Sequence, residues 1–410
     1  MKYKISVITL LLFFLLTLGF PGEKKDFTLE EIISLGLKNN PLLLAKMEEV
    51  KAKRAAFQAS KLLFNPEIKY HRGKGEPYHS EEKVNTEVFS VTQPLENPLK
   101  RKYRIQVFER DWQAAESSLD FSRLEVTWEI KTLFFKILLF KDNEELALKN
   151  LNSLKEIHQL ILKRAQLGEV RELEAIKLYV ETLRAHNELN KVRTEFKLAK
   201  EELNKFLGNS LPPDFFVVGK LNFKVLLLEE KSLIEKALLS HPLVRKKGKE
   251  LEAAQSNISY IRWQRIPDLK LSGFSHKEID GQNKGVGISM DIPLWNFKSR
   301  EIAQANSLAL KQKEELKALR MELKTDIKAK LNQLRLSEQT LELFQSGLLK
   351  EAEESLKIAE VSYKQGEISL IDYLDSQRTY YSILKDYQDS LSDWNINKAS
   401  LEKSIGKEIQ

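Results

Sequence analysis

Along residues 105–140, apolar side chains recur every three or four positions: Ile105, Phe108, Trp112, Ala115 and Leu119, then Val126, Ile130, Leu133, Ile137 and Phe140. That is the seam of a helix packed as in a coiled coil. Leu124, Trp128, Phe135 and Leu138 add a second stripe. A helix apolar on two sides must pack against two neighbours and turn its polar third side to water. Elsewhere the period changes to two. Val286, Ile288, Met290 and Ile292 alternate with Gly285, Gly287, Ser289 and Asp291, and Leu269 and Leu271 alternate with Asp268, Lys270 and Ser272. These are strands with one apolar face and one small or polar face.

Proline and glycine divide the chain. Apart from Pro21, every proline lies within 41–98 or 212–293. The stretches 99–211 and 294–410 contain none, and their only glycines are Gly168 and Gly208 in the first and Gly347, Gly366 and Gly406 in the second. A proline costs about 3 kcal/mol inside a helix and a glycine about 1 kcal/mol, so these stretches predict very long helices. The first half reads as a helix over 28–64 interrupted near Pro41, a strand over 66–73, a polar loop over 74–83 and a strand over 84–95. A helix to about 166, a turn at Gly168 and a return helix over 171–207 follow. The second half reads as helix 231–265, strand 268–275, loop 276–284, strand 285–294, helix 296–364, a turn at Gly366 and helix 369–405. Thr28 and Glu31 form a candidate capping box.

The halves match one another. Asn40-Pro41-Leu42 answers His241-Pro242-Leu243 at an offset of 201, and Asn65-Pro66 answers Ile266-Pro267 at the same offset. Gln93-Pro94 answers Ile292-Pro293 at 199; Gly168 answers Gly366, and Leu207-Gly208 answers Ile405-Gly406, both at 198. Ordered landmarks with so little drift indicate duplication of a unit of roughly 200 residues. The expected fold class is mainly α with a small β part, in internally duplicated helix–strand–strand–helix–helix units over 23–210 and 211–410. The helix after the strands spans about 68 residues, or ~100 Å at 1.5 Å per residue. The helix before them and the return helix together are about as long, so the two shorter helices can run end to end beside the long one.

Strands of about 8–12 residues suit a membrane β-barrel, although an amphipathic sheet packed on helices satisfies the same pattern. Four strands cannot close a barrel, and open edges are not tolerated in lipid, so the membrane reading needs strands from several chains. The N-terminus favours export. Lys2 and Lys4 precede an apolar run over 5–20, which reads as a signal peptide over 1–22 with cleavage after Gly19 or Gly22. An uncleaved anchor is the alternative. No other segment approaches the run of apolar residues that a membrane-spanning helix needs.

The 410 residues include no Cys, which excludes a disulfide scaffold, a thiolate metal site, a cysteine nucleophile and an acylated N-terminal Cys. The net charge of +7 is spread over finely alternating Lys and Glu, which does not suit a nucleic-acid partner. His71, His79, His158, His186, His241 and His276 are scattered, without metal-binding helical spacing. His71, His79 and His276 fall near the loops between strands, where solvated side chains explain them better than a metal-contacting mouth. No phosphate-binding glycine loop and no nucleophile elbow occurs, so we expect no enzyme and no cofactor.

Several stretches carry a family resemblance. They are Thr28-Leu29-Glu30-Glu31 through Leu37-Lys38-Asn39-Asn40-Pro41 and the turns Arg164-Ala165-Gln166-Leu167-Gly168-Glu169-Val170 and Tyr363-Lys364-Gln365-Gly366-Glu367-Ile368-Ser369. The most specific is Leu370-Ile371-Asp372-Tyr373-Leu374-Asp375-Ser376-Gln377-Arg378. With the duplicated plan, they resemble the TolC-like outer-membrane factor (outer membrane efflux protein) family. The resemblance implies a homotrimer with a twelve-stranded β-barrel in outer-membrane lipid and a long α-helical barrel in the periplasm. It also implies two partners, a periplasmic adaptor (membrane fusion protein) and an inner-membrane pump. Ser90-Val91-Thr92-Gln93-Pro94-Leu95-Glu96 with Lys100-Arg101 looks like the heavy-metal branch, the CzcC/CusC type, which implies a pump of the RND type. Drug or solvent efflux and type I secretion are the alternatives within the family. A periplasmic structural coiled coil is the alternative outside it, while the adaptor itself carries a single hairpin rather than two.

Two groups of residues follow. Asp372 and Asp375, three apart on one helix face, match family positions lining the constricted periplasmic entrance, and a trimer would gather six such carboxylates. Their counterparts in the first half are Glu174 and Lys177. Tyr363 and Arg378 are candidates for inter-helix contacts that hold the entrance shut. The turns Leu167, Gly168, Glu169, Val170 and Gln365, Gly366, Glu367, Ile368 are candidates for adaptor contact, with each glycine supplying the positive φ of a helix reversal.

Overall fold

The computed structural model describes residues 26–76 and 82–409. The signal peptide expected over 1–22 and His79 lie outside them. In chain order the elements are β1 (Asp26–Phe27), α1 (Leu29–Asn39), α2 (Pro41–Ser60), β2 (Glu67–Gly75), β3 (Val84–Leu95), α3 (Pro98–Gln166) and α4 (Glu172–Phe206). Then come β4 (Phe216–Val217), α5 (Glu230–Ser240), α6 (Pro242–Trp263), β5 (Leu269–Lys277), β6 (Gln282–Met290), α7 (Ser299–Leu343), α8 (Leu349–Gln365) and α9 (Leu370–Ile405). Two compact units result, each drawing segments from both halves of the chain.

The unit formed by residues 26–44, 122–237 and 324–409 is built on helices. Thr28 caps α1, since Glu31 N donates to its Oγ1 and Thr28 N donates to Glu31 Oε2 at 2.8 Å. At the α1–α2 junction, the buried Asn40 accepts from Leu43 N at 3.0 Å and donates through Nδ2 to Phe206 O at 2.9 Å. One side chain thus caps α2, whose Pro41 has no amide to satisfy, and ties it to the end of α4. In α3, Val126, Ile130, Leu133 and Ile137 are buried, as is Leu138 of the second stripe. β1 and β4 form a short parallel pair that the residue pattern did not reveal.

The helix expected over 296–364 is not continuous. A π-helical turn, Phe344–Leu348, separates α7 from α8, with Gly347 at φ 151°. Only glycine enters that region without strain, so the break falls where the backbone can take it. The first half has no counterpart, because α3 runs unbroken.

The unit formed by 45–76, 82–121 and 238–323 holds the sheet, in the order β2-β3-β5-β6, all antiparallel. The loop expected over 276–284 shrinks to four residues, because β5 runs to Lys277 and β6 begins at Gln282. Ile68 pairs with Val91, Tyr70 with Phe89, Leu95 with Leu269, and Leu271 with Ile288. Val84, Val88 and Phe274 fall on one face of the sheet, and this register puts most of the apolar residues of the four strands on the other. That face is exposed: Ile68 is 66% accessible, Val286 85% and Ile288 74%. At the strand-to-helix junction, the nearly buried Glu96 receives both ends of the Arg104 guanidinium at 2.9 and 2.6 Å, and Asp268 pairs with Lys100 while accepting from Asn97 N. Below it, Phe57 stacks on Trp112 with ring centroids 5.4 Å apart. His241 does for α6 what Asn40 does for α2, accepting from Leu243 N at 3.2 Å beside Pro242.

Candidate functional site

The reversals at Gly168 and Gly366 close with the same hydrogen bonds. Glu169 N donates to Arg164 O at 2.9 Å and Gly168 N to Ala165 O at 3.0 Å; Glu367 N donates to Ser362 O at 2.9 Å and Gly366 N to Tyr363 O at 3.1 Å. Each pair satisfies carbonyls that a helix end would otherwise leave open, and it requires a left-handed residue at the turn. The φ values are 77° and 83°, and a Cβ at either glycine would meet nothing within 4 Å. The demand for glycine is therefore conformational rather than steric. Gly168→Ala and Gly366→Ala should each weaken their turn by about 1–2 kcal/mol. Hydrogen exchange at Glu169 N and Glu367 N should report equal losses of protection.

The hairpins differ in how the returning helix starts. Ser369 caps α9 in a reciprocal box with Asp372: Asp372 N donates to Ser369 Oγ, while Ser369 N and Oγ donate to Asp372 Oδ2 at 3.2 and 2.7 Å. Arg171, at the start of α4, makes no side-chain cap. Beneath the turns an apolar cluster joins α3, α4, α8 and α9 through Ile157, Ile161, Leu178, Ala359, Tyr363 and Tyr373, with Val170 and Ile368 packed against it. Leu167, by contrast, is 75% exposed at the tip.

Tyr363 stacks on Tyr373, with centroids 5.4 Å apart and planes 15° apart, and donates to Glu174 Oε2 at 3.2 Å. Burial, reinforced by the Glu174 carboxylate, holds the Tyr363 hydroxyl far above the ordinary tyrosine range, and burial pushes Tyr373 up to about 12. Tyr363 therefore stays a neutral donor. Arg378 Nη2 donates to Glu181 Oε1 at 2.6 Å, and Lys385 reaches Glu188 at 3.4 Å. Tyr363, Arg378 and Lys385 thus meet Glu174, Glu181 and Glu188, which are seven apart on α4. Glu181 was not picked out from the sequence, though this heptad spacing was the available signal. Beside the ladder, Gln377 is 2% exposed and donates to Asn150 Oδ1 at 3.1 Å, on the wall of a 280 Å³ pocket.

Asp372 and Asp375 stand apart from the ladder. Both are exposed, and Asp375 makes no hydrogen bond or ion pair among the described residues. The Asp372 carboxylate is engaged in the cap. His71 lies in β2 and His276 in β5, where His276 comes within 4.0 Å of Glu278. Among the described residues no group of three His, Cys, Asp or Glu side chains is placed to hold a metal ion, and no helix is long and apolar enough to cross a membrane.

The sequence profile described as "Outer membrane efflux protein" matches residues 32–209 and again 233–407. The chain belongs to the outer membrane efflux protein family. Its relatives within this family of efflux channels include the cobalt-zinc-cadmium resistance protein CzcC of Cupriavidus metallidurans, 23% identical over 391 residues that cover 95% of this chain and 92% of the relative. Solved structures with the same fold include CusC, with a TM-score of 0.78 at 16% identity, covering 93% of this chain and 92% of that one. The outer-membrane channel OprN superimposes with a TM-score of 0.79 at 16% identity, covering 92% and 89%.

Proposed function

We propose that three copies of this chain form the exit duct of a three-part machine that expels heavy-metal cations. The observation carrying this reading is the sheet: its apolar face is exposed, and β2 and β6 each leave one edge unpaired among the described residues. Lipid tolerates such a face but not such edges, so neighbouring copies must supply the closing strands. Three sheets of four give a twelve-stranded barrel. The leader over 1–22 would deliver the chain to the outer membrane, with its helical part in the periplasm. There the turns at Gly168 and Gly366 would meet an adaptor linked to an inner-membrane pump of the RND type, which supplies the energy. The contacts of Tyr363 and Arg378 with α4 would hold the periplasmic entrance narrow, and Asp375, with Asp372, would line it.

The likeness to a cobalt-zinc-cadmium resistance protein supports a divalent-metal cargo, selected by the pump. Deleting the gene should sensitise cells to cobalt, zinc or cadmium salts by several-fold in minimal inhibitory concentration, with little change for dyes and detergents. Equal sensitisation to both classes would remove the metal assignment and leave the duct. Recovery of the chain in the soluble periplasm, with no heat-labile trimer on gels, would remove the duct as well.

A further inference from the structure

We infer that the helix-side rim of the sheet is a docking surface for the phosphodiester headgroups of an anionic glycerophospholipid leaflet. The inference rests on the barrel reading above and adds a lipid specificity to it.

Register places four chain junctions at one end of the sheet, since Leu95 pairs with Leu269 and Leu269 with Met290, while β2 starts opposite Thr92. Side chains tie the junctions together. Arg101 Nη2 donates to Lys61 O at 2.6 Å, Gln93 Nε2 to Phe64 O at 2.9 Å and Arg265 Nε to Phe297 O at 2.8 Å.

Large apolar side chains stand in solvent along this rim. Leu62 and Leu63 are 67% and 68% accessible, Leu294 65%, Phe297 59%, and Trp295 is almost wholly exposed. None belongs to a strand, so strand pairing between copies does not account for them.

Charge decides what covers them. Every rim acid is already engaged: Glu67 by Lys69, Glu96 by Arg104, Asp268 by Lys100, Asp291 by Lys270 and Glu301 by Lys298. Six rim cations have no acidic partner among the described residues: Lys61, Arg101, Lys102, Arg262, Arg265 and Arg300. Lys61 lies over the Phe57 ring at 3.9 Å, and Arg101 and Arg265 donate to carbonyls, but none of the six charges is neutralised, so the surface attracts anions. Interleaved with an exposed indole and phenyl ring, it has the makeup of a membrane–water interface. It is also continuous with the apolar sheet face that would lie in hydrocarbon. The helix side of that face meets the periplasmic leaflet, where phosphodiester headgroups are the anions within reach. Each surface cation near such headgroups contributes modestly, so the rim selects charge strongly only as a group.

The test reconstitutes the full protein into vesicles of phosphatidylcholine with a minority of phosphatidylglycerol, re-extracts it in mild detergent and measures the lipids retained. Wild type should retain phosphatidylglycerol at least about threefold above its bulk share. K61Q/K102Q/R262Q/R300Q, which spares the rim's internal hydrogen bonds, should float with the vesicles as before but retain lipid at the bulk ratio. The fluorescence lost in Trp295→Phe, taken as a difference, should be quenched by lipids brominated near the headgroup. Unchanged enrichment in the quadruple variant, or none in wild type that floats normally, overturns the inference and leaves the barrel standing. A blue-shifted Trp295 signal that brominated lipid does not quench would mean that a second copy covers the rim, and it overturns the inference too. Failure of wild type to float with any vesicle overturns both readings.

Discussion

Lys131→Met is expected to destabilise the helical unit by about 3–5 kcal/mol, the cost of leaving a buried charge without its partner. Lys131 Nζ donates to Glu402 Oε2 at 2.7 Å and to Glu408 Oε1 at 2.9 Å, and the Lys131 and Glu402 side chains are only 12% and 10% exposed. Burial pushes the Lys131 ammonium down, but the two carboxylates outweigh it and hold it above the ordinary lysine range. A raised folded-state value means that the contribution is complete below the unfolded lysine value and fades only as pH rises through the folded one. The Lys131 contribution should thus be insensitive to pH around neutrality. In Lys131→Met, Glu402 loses its cation and keeps only the hydrogen bond that Ile409 N donates to its Oε1 at 3.2 Å. Pulse proteolysis across a urea series measures the loss, and wild type compared at pH 7 and pH 8 checks the insensitivity. Adding Glu402→Leu should restore most of the loss, since an apolar pair of similar volume carries no desolvation cost. If the double variant is as unstable as the single one, packing rather than charge sets the effect.

The second large effect belongs to Asp375. Carboxylates gathered on a narrow axis favour cations and bind polyvalent ones, so three Asp375 side chains at the entrance would confer both properties. Asp372 is a poorer probe, because its carboxylate also serves the α9 cap and its charge favours the helix N-terminus by about 0.3–1 kcal/mol. Asp375 carries no such local duty. In planar bilayers Asp375→Asn should lower cation preference and weaken block by trivalent cations from the periplasmic side by about tenfold, or about 1.4 kcal/mol. Thermal stability should not move. Asp372→Asn should show a smaller functional change together with a measurable loss of stability. A correctly assembled Asp375→Asn channel with wild-type selectivity and block would make both acids ordinary surface residues and put the constriction elsewhere.

The residue pattern alone marked where the main helices start and reverse, because the decisive costs are local. Proline lacks an amide and glycine lacks a Cβ, so Pro41, Pro98, Pro242, Gly168 and Gly366 mark boundaries whatever surrounds them. Alternation at 285–290 showed an apolar strand face, since successive side chains of a strand point to opposite faces, although β6 stops at Met290 short of Ile292. Thr28 and Glu31, three apart before an apolar run, already spelled out a cap. The break at Gly347 was not legible, since one glycine in a helix costs only about 1 kcal/mol and packing decides whether it is carried straight through or used as a bulge. Nor was the β1–β4 pair, because two-residue strands nearly two hundred residues apart have no period of their own. Only the tertiary structure brought Tyr363 to Glu174 and Arg378 to Glu181, since partner choice between helices depends on rotation and register, which the period of a single helix does not contain.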